Sequence, residues 1–433
     1  MSRTRVRANK PDWFLIILFV AITLFGWLNV YSTSRGEDES FNLSLTTLYG
    51  KQLLWLGISV VAGFGLLLFD GKFFPAFAYL IYAMSLVLLV AVLFVGTEVY
   101  GSKSWFVISD ALRFQPSEFA KYATALALAK FMGNKEFSFS GQLGENILGI
   151  IPRQALGVLL LYAVPGVLIL LENDTGSTIA FAALALAFYR EGMHGGFFLA
   201  AVLAAILFFL SIVVPVVVLI GILAAIGGLS ATYFFYTRQH KVGIFVIFLT
   251  SLFAAYVTTT DYIFHQVLKP HQQARVNVLL GLEKDLRGAG YNVNQSKIAI
   301  GSGGLTGKGF LEGTQTKYRF VPKQTTDFIF SAVGEEWGFL GASLLIFLYS
   351  ALLIKIVLNA ERQRTRFSRV YGYCVFSILF AHFALNIGMA LGLAPTIGIP
   401  LPLFSYGGSS LFSFTVMLFT FIKLDAERSE ILG

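Results

Sequence analysis

WFLIILFVAITLFGWLNVY, residues 13–31, carries no charged side chain along its whole length. A membrane-spanning helix needs roughly 20 apolar residues at about 1.5 Å rise each, so the run is long enough to cross a bilayer. No small-residue cleavage site follows it, and it is expected to remain as a helix rather than be removed. Similar runs recur at 51–69, 73–95, 116–132, 154–171, 177–190, 243–264, 327–357, 370–393 and 401–423. The stretch 196–236 is too long for one helix and breaks near Pro215, which predicts an extra hairpin. Counted together, these runs predict about twelve spans.

The expected fold class is therefore an all-α polytopic membrane protein, a bundle of about ten or more helices forming one integral-membrane domain over 1–433. Composition agrees: 56% of residues are hydrophobic and 13% charged, against about 25% charged in an average soluble domain. Cys374, the only cysteine, lies inside an apolar run, which excludes an intramolecular disulfide and any metal site built on cysteines.

The net charge of +8 has to be placed before it can be interpreted. An even number of spans puts both termini on one side, and Arg3, Arg5, Arg7 and Lys10 mark that side as cytoplasmic. Lys72, Lys135, Arg153, Arg190, Arg238, Lys241, Arg362 to Arg369, Lys423 and Arg428 then fall inside, while GEDES at 36–40 falls outside. One segment departs from this pattern. Residues 265–326 form a large extracytoplasmic loop that includes Lys269, Arg275, Lys284, Arg287, Lys297, Lys308, Lys317, Arg319 and Lys323. Loops beyond about 60 residues obey the positive-inside rule weakly, so the topology stands. The cations are either a solvated surface or a site for an anionic ligand at the outer face. Nucleic acid is not expected on that side of a membrane.

Within the loop, GSGGLTGKGF (301–310) invites comparison with phosphate-binding loops. It fails the Walker pattern, because Ser302 and Gly309 stand where Gly and Ser or Thr belong, and Thr306 breaks the dinucleotide pattern. Its glycines are expected to permit tight turns and close approach to a ligand or a neighbouring segment.

VPKQTTDFIFSAVGEEWGFLG (321–341) puts Asp327 at the entrance to an apolar run and Glu335 and Glu336 within it. Asp327 could simply answer a helix dipole. On a continuous helix Glu335 lies roughly 12 Å further along the axis, too far for a carboxylate dyad. A charge at that depth costs about 2.5–3.5 kcal/mol on insertion scales, so it should face protein, water or a partner. RFQPSEFAK (113–121) sets Glu118 and Lys121 three apart on one helix face, either as a structural pair or as part of a site. LENDTGSTIA (171–180) adds Glu172 and Asp174, the latter a candidate cap. SYGGSS (405–410), led by Ser405, suits close packing as well as it suits function. His265 and His271 lack an acidic partner at helical spacing, and His382 reads as a satisfied interior histidine.

Taken together, FQPSEFAK, NDTGST, LKPHQQARV (268–276), GYNVNQSKIAIGSGGLTGKG (290–309), TTDFIFSAVGEEWG (325–338) and PLPLFSYGGSS (400–410) resemble the RodA/FtsW, or SEDS, family of polytopic peptidoglycan polymerases. GTQTKYRFVPKQTTDFIF resembles the elongation-type RodA branch more than the division-type FtsW branch. The resemblance implies polymerisation of lipid II into nascent glycan at the outer face of the cytoplasmic membrane, with Asp327 as the essential aspartate. It also implies a cavity lined by Glu118 and Lys121, and as partners a class B penicillin-binding transpeptidase and other elongation-complex membrane proteins. Two departures stand out. The family's usual QPDLGT reads ENDTGS here, and its usual ten spans are exceeded by the 196–236 hairpin.

On this reading Asp327 activates the acceptor 4-hydroxyl in an inverting transfer, and Lys308 and Arg319 stabilise the departing diphosphate. Glu335 and Ser405 are further candidates for lining the cavity. A divalent cation could share the diphosphate charge, although no ligand set in the sequence identifies one. A lipid II flippase and a cell-wall scaffold are the rival readings. Transport would call for inverted repeats and polar sites at the bilayer midplane, which the sequence does not show.

Overall fold

The computed structural model describes residues 10–35, 42–99, 102–107, 109, 112–134, 137, 139, 146–147, 151–193, 195–268, 270–280, 282 and 290–428. Arg3, Arg5, Arg7, the GEDES segment, Lys135, Lys269, Glu283, Lys284, Asp285 and Arg287 lie outside the described residues. The chain divides into two compact units, one made of residues up to Met193 and from Asn292 onward, the other of His194–Tyr291.

The first unit opens with α1 (Trp13–Ser34), α2 (Leu48–Leu66) and α3 (Phe73–Val95). Asp12 and Thr47 cap α1 and α2 by accepting from Phe14 N and Gly50 N, which satisfies backbone donors that a helix start leaves free. Short strands β1 (Thr97–Val99), β2 (Ser102–Val107) and β3 (Arg113–Phe114) pair antiparallel in that order and lead into α4 (Pro116–Met132). The two-residue strands β4 (Asn146–Ile147) and β5 (Ile151–Pro152) precede α5 (Arg153–Leu171). Next come α6 (Thr175–Ala182) and α7 (Ala185–Arg190), where one span was expected over 177–190. The join holds as a tight turn: Ala183 N and Leu184 N donate three residues back, to Ala180 O and Phe181 O.

The second unit holds α8 (Gly196–Val213), α9 (Val216–Tyr236), α10 (His240–Tyr262), a π-helical turn over Ile263–Val267 and α11 (Pro270–Leu279). Pro215 separates α8 from α9, as its missing N–H and fixed φ require. The expectation that His265 lacks an acidic partner at helical spacing is corrected here, because Asp261, one turn earlier on the same helical face, lies 3.4 Å from its ring.

The first unit resumes with α12 (Tyr291–Ser302), α13 (Thr314–Lys317), α14 (Ile329–Glu361), α15 (Arg366–Leu391) and α16 (Gly408–Ala426). Two expectations need correction. The last helix starts at Gly408 rather than near 401, because Pro400 and Pro402 cannot donate and Leu403 takes a left-handed φ of 63°. The other correction is that α14 starts after Asp327 and is not continuous, since Gly338 breaks it with φ 64° and ψ −160°. An axial distance from Asp327 to Glu335 counted on one straight helix does not apply.

The break at Gly338 leaves backbone groups without helical partners, and the 304–309 loop supplies them. Lys308 N and Gly309 N donate to Glu335 O and Glu336 O at 3.0 Å, while Phe339 N and Leu340 N donate to Gly304 O and Leu305 O at 2.9 and 3.1 Å. In a low-dielectric setting each unsatisfied group would cost several kcal/mol, so loop and helix form one structural piece. A Cβ at Gly307 would collide with Glu336 O. That glycine serves close approach to α14, one of the two roles anticipated for it.

Helix α4 is the centre of this unit and packs on α3, α5, α15 and α16. Ala120, Ala123, Ala125, Leu126, Ala127, Leu128 and Ala129 are all fully buried, so protein surrounds it and small side chains set its close packing. Among the described residues seven helices are long and apolar enough to cross a membrane: α1, α3, α9, α10 with its π-helical turn, α14, α15 and α16. Several basic residues of this unit pair with acids from other elements. Arg190 pairs with Glu361 at 2.7 Å, Arg366 and Arg369 with Glu191 at 2.8 and 2.9 Å, and Lys355 with Asp12 at 3.0 Å.

Candidate active site

Asp327 lies in the turn segment that precedes α14, 8% exposed, with Oδ2 at 3.2 Å from the Lys323 ammonium. Its neighbours are tied to the non-helical stretch before α16. Ser405 Oγ donates to Thr326 O at 2.6 Å and accepts from Leu401 N at 2.8 Å, while Tyr406 N donates to Thr325 O at 2.9 Å. Gln52 of α2 completes the clamp by donating to Ser405 O at 3.2 Å and accepting from Gly407 N at 3.3 Å. Ser405 therefore stands beside Asp327 in the fold, and its hydroxyl is committed to backbone groups.

Helix α15 holds the other side of this stretch. Asn386 Nδ2 donates to both Ile399 O and Asp327 O, at 2.8 and 2.9 Å. One turn earlier, His382 Nδ1 lies 3.2 Å from Pro400 O. The other ring nitrogen of His382 is 2.8 Å from Lys121 Nζ, which also pairs with Glu118 Oε1 at 2.7 Å. The pair anticipated on α4 is thus real and extends to a third group. All three side chains are buried, and Glu118 Oε2 has no partner among the described residues.

Next to this cluster, Asp174 caps α6 by accepting from Ser177 N at 3.0 Å and draws Gln115 Nε2 to 2.6 Å, joining the starts of α4 and α6. Asn173 takes a left-handed φ of 58°, which asparagine tolerates and the proline ring forbids. The departure from the usual motif is therefore a change of backbone at that position. Glu172 is buried with neither carboxylate oxygen partnered among the described residues. Burial, reinforced by the nearby Asp174 charge, pushes its carboxyl up to about 8.

Glu335 and Glu336 face protein, and they do different work. Glu335 accepts from Lys308 Nζ at 2.7 Å, Gln315 N at 2.8 Å and Thr316 N at 2.9 Å, fastening the loop to α14. Glu336 reaches Ser32 of α1. Lys308 is thus an ion-pair partner inside the scaffold rather than an open cation. Arg319 is exposed and donates to Ser34 O at 3.4 Å. Among the described residues no group of three or more His, Cys, Asp or Glu side chains is placed to hold a metal ion.

Sequence reasoning missed His382 and Asn386 as parts of this arrangement. Their four-residue spacing sets both on one face of an apolar helix, and that spacing was the available signal. Gln52 and Ser32 gave no signal, because each acts through a segment hundreds of residues away.

Seven membrane-length helices among the described residues, one of them broken, and an acid held at the mouth of the broken helix define a multi-pass membrane protein with a candidate acid–base site. The chain belongs to the cell cycle protein family of FtsW, RodA and SpoVE, whose model matches residues 12–226 and 216–430. It is 32% identical over 400 residues to the peptidoglycan glycosyltransferase MrdB of Escherichia coli K12, covering 92% of this chain and 89% of that one. It is 30% identical to the peptidoglycan glycosyltransferase RodA of Treponema pallidum, covering 96% and 98%. Among solved structures, a chain of a peptidoglycan synthase complex that coordinates polymerization and crosslinking superposes with a TM-score of 0.68 at 26% identity, covering 97% of this chain and 99% of that one. The rod shape determining protein RodA of Thermus thermophilus does so with a TM-score of 0.60 at 25% identity, covering 97% and 98%.

Proposed function

We infer that the chain is a peptidoglycan glycosyltransferase of the elongation type, which polymerises lipid II into glycan strands for cell-wall elongation and rod shape. The likeness to MrdB and RodA supports the enzyme class. The observation that carries the site is the position of Asp327, a largely buried carboxyl at a helix mouth whose backbone is clamped by Asn386 and whose flanks are clamped by Ser405.

In the proposed step the Asp327 carboxylate takes the proton of the acceptor 4-hydroxyl as that oxygen forms a bond to the anomeric carbon of the growing chain. The anomeric bond to the diphosphate breaks with inversion, and undecaprenyl pyrophosphate leaves carrying the electron pair. This leaving group holds its own charge, so it needs electrostatic stabilisation rather than a proton. Arg319, exposed on the loop, suits that task better than Lys308, which Glu335 already engages. Glu118 and Lys121 act as the buried support of the site.

The same reading puts the active site at the outer face of a cytoplasmic membrane, with about twelve spans, both termini inside and the 265–326 loop outside. The ion pairs that join Asp12 near the start of the chain to α14, and Arg362 to Asp425 near its end, support a common side for both termini. Likeness to a chain from a polymerizing and crosslinking complex supports a class B penicillin-binding transpeptidase as partner, alongside other elongation-complex membrane proteins. Transport fits less well. Broken transporter helices offer their freed backbone groups to substrate, whereas those at Gly338 are taken up by the 304–309 loop.

Purified protein, with and without the transpeptidase, should polymerise lipid II, and Asp327→Asn should abolish glycan formation while keeping the fold, checked by its thermal unfolding. Normal glycan synthesis by Asp327→Asn would remove Asp327 as the base.

A further inference from the structure

We propose that His382 is a positioning residue, through which the buried Glu118–Lys121 pair of α4 holds the 398–400 backbone, and with it Asp327, in working register. The proposal rests on the reading of Asp327 as the base and adds residues that reading does not use. An ammonium can only donate, so the 2.8 Å contact with Lys121 Nζ requires a lone pair on His382 Nε2. The ring proton is then on Nδ1, where it donates to Pro400 O at 3.2 Å. Lys121 is itself fixed by Glu118 at 2.7 Å, so the ion pair sets the tautomer and the tautomer sets the grip on Pro400.

Asn386, one turn further along α15, extends the grip to the preceding carbonyl, Ile399 O, and to the carbonyl of Asp327 itself. Consecutive backbone carbonyls of a segment with no helical hydrogen bonds are thus held from one helix face. The residue before them, Gly398, has φ 75°, and a Cβ placed there would lie 3.5 Å from Asp327 Oδ2. Movement of this segment therefore moves the immediate surroundings of the carboxylate. A histidine satisfied only for the sake of packing would affect stability and leave turnover alone. A positioning residue affects turnover with the stability intact.

The test uses the full chain in lipid nanodiscs with lipid II as substrate, recording kcat, KM and the thermal midpoint. His382→Leu removes both polar contacts and is expected to lower kcat on the order of 10²-fold with KM unchanged, the size of effect that slight misplacement of a reacting group produces. His382→Gln can accept from Lys121 through its oxygen and donate to Pro400 through its amide, and is expected to restore kcat to near the wild-type value. Should the leucine variant fail to fold, Asn386→Ala, which frees Ile399 O and Asp327 O, decides the matter by the same fall in kcat. Wild-type kcat in folded His382→Leu, or in Asn386→Ala, overturns the proposal. So does equal loss in the glutamine and leucine variants, which would assign His382 a proton-transfer role instead. Activity in Asp327→Asn, by contrast, would strike the reading of the base and leave the geometry of His382 as it is.

Discussion

Single side chains show most clearly where burial and charge conflict. Glu172 is buried beside Asp174, and its carboxylate has no hydrogen-bond partner among the described residues, so the folded state favours its neutral form. Its pKa rises from an ordinary 4.5 to about 8, and the sign of the consequence follows from linkage. Between those values the folded chain keeps a proton that the unfolded chain has released, so stability falls as pH rises through this window and levels off above it. Glu172→Gln has no proton to lose. Its thermal midpoint is therefore expected to exceed that of the wild type at pH 8 and to converge with it near pH 5, measured at one scan rate in one detergent. A constant difference across that range would show that Glu172 is ionised in the fold at every pH tested. The sequence displayed Glu172 only as one acid of a pair near a helix start. Its isolation depends on β2, which Glu172 O meets at Lys103 N and Ser102 Oγ, and that contact is invisible at the level of spacing.

At the scale of elements, the apolar runs announced helices well and their ends less well. The runs at 13–31, 73–95 and 116–132 are bounded by charges, glycines or prolines, and the helices end close to them. Two features escaped this approach. PLPLFSYGG is apolar enough to pass for the start of a span, yet it needs no helix, because its carbonyls are met from several helices, Pro400 O by His382 of α15, Pro402 O by Tyr349 of α14 and Ser405 O by Gln52 of α2, and Leu401 N and Tyr406 N donate to Ser405 Oγ and Thr325 O. Gly338 looked like an ordinary glycine in a span, and its role appears only with the loop that pairs to the break. An L side chain at φ 64° and ψ −160° is strained by about 1–3 kcal/mol, and a Cβ there would run into Gly307 N and the Leu305 backbone. Gly338→Ala is accordingly expected to lower the thermal midpoint and to speed hydrogen exchange at Lys308, Gly309, Phe339 and Leu340, the four amides that bridge loop and helix. Exchange rates equal to those of the wild type would mean that the loop is held by Glu335 alone.

For the whole molecule, composition was enough to establish a membrane protein, because it is a sum over many residues rather than a matter of any one contact. The site was legible in part. Motifs brought Asp327, Glu118, Lys121 and Ser405 into view, but spacing could not tell an open cation from one already paired. The basic loop illustrates this. Lys308 and Arg319 look alike as charges in a sequence, yet one is fastened to a buried glutamate at 2.7 Å and the other is exposed with a carbonyl contact at 3.4 Å. Reversing each should therefore give different results. Lys308→Glu sets a second carboxylate against Glu335, which also holds Gln315 N and Thr316 N, so it is expected to destabilise the fold; removing one partner of a buried pair costs about 3–5 kcal/mol, and the partial exposure of Lys308 puts this case at the low end. Arg319→Glu touches only the surface, so its thermal midpoint should stay at the wild-type value. If the loop attracts a diphosphate, its KM for lipid II should rise, and the rise should shrink in about 1 M salt, where the Debye length is about 3 Å. An Arg319→Glu enzyme with wild-type KM at low salt would return that arginine to the solvated surface and leave the leaving-group charge to other cations near Asp327.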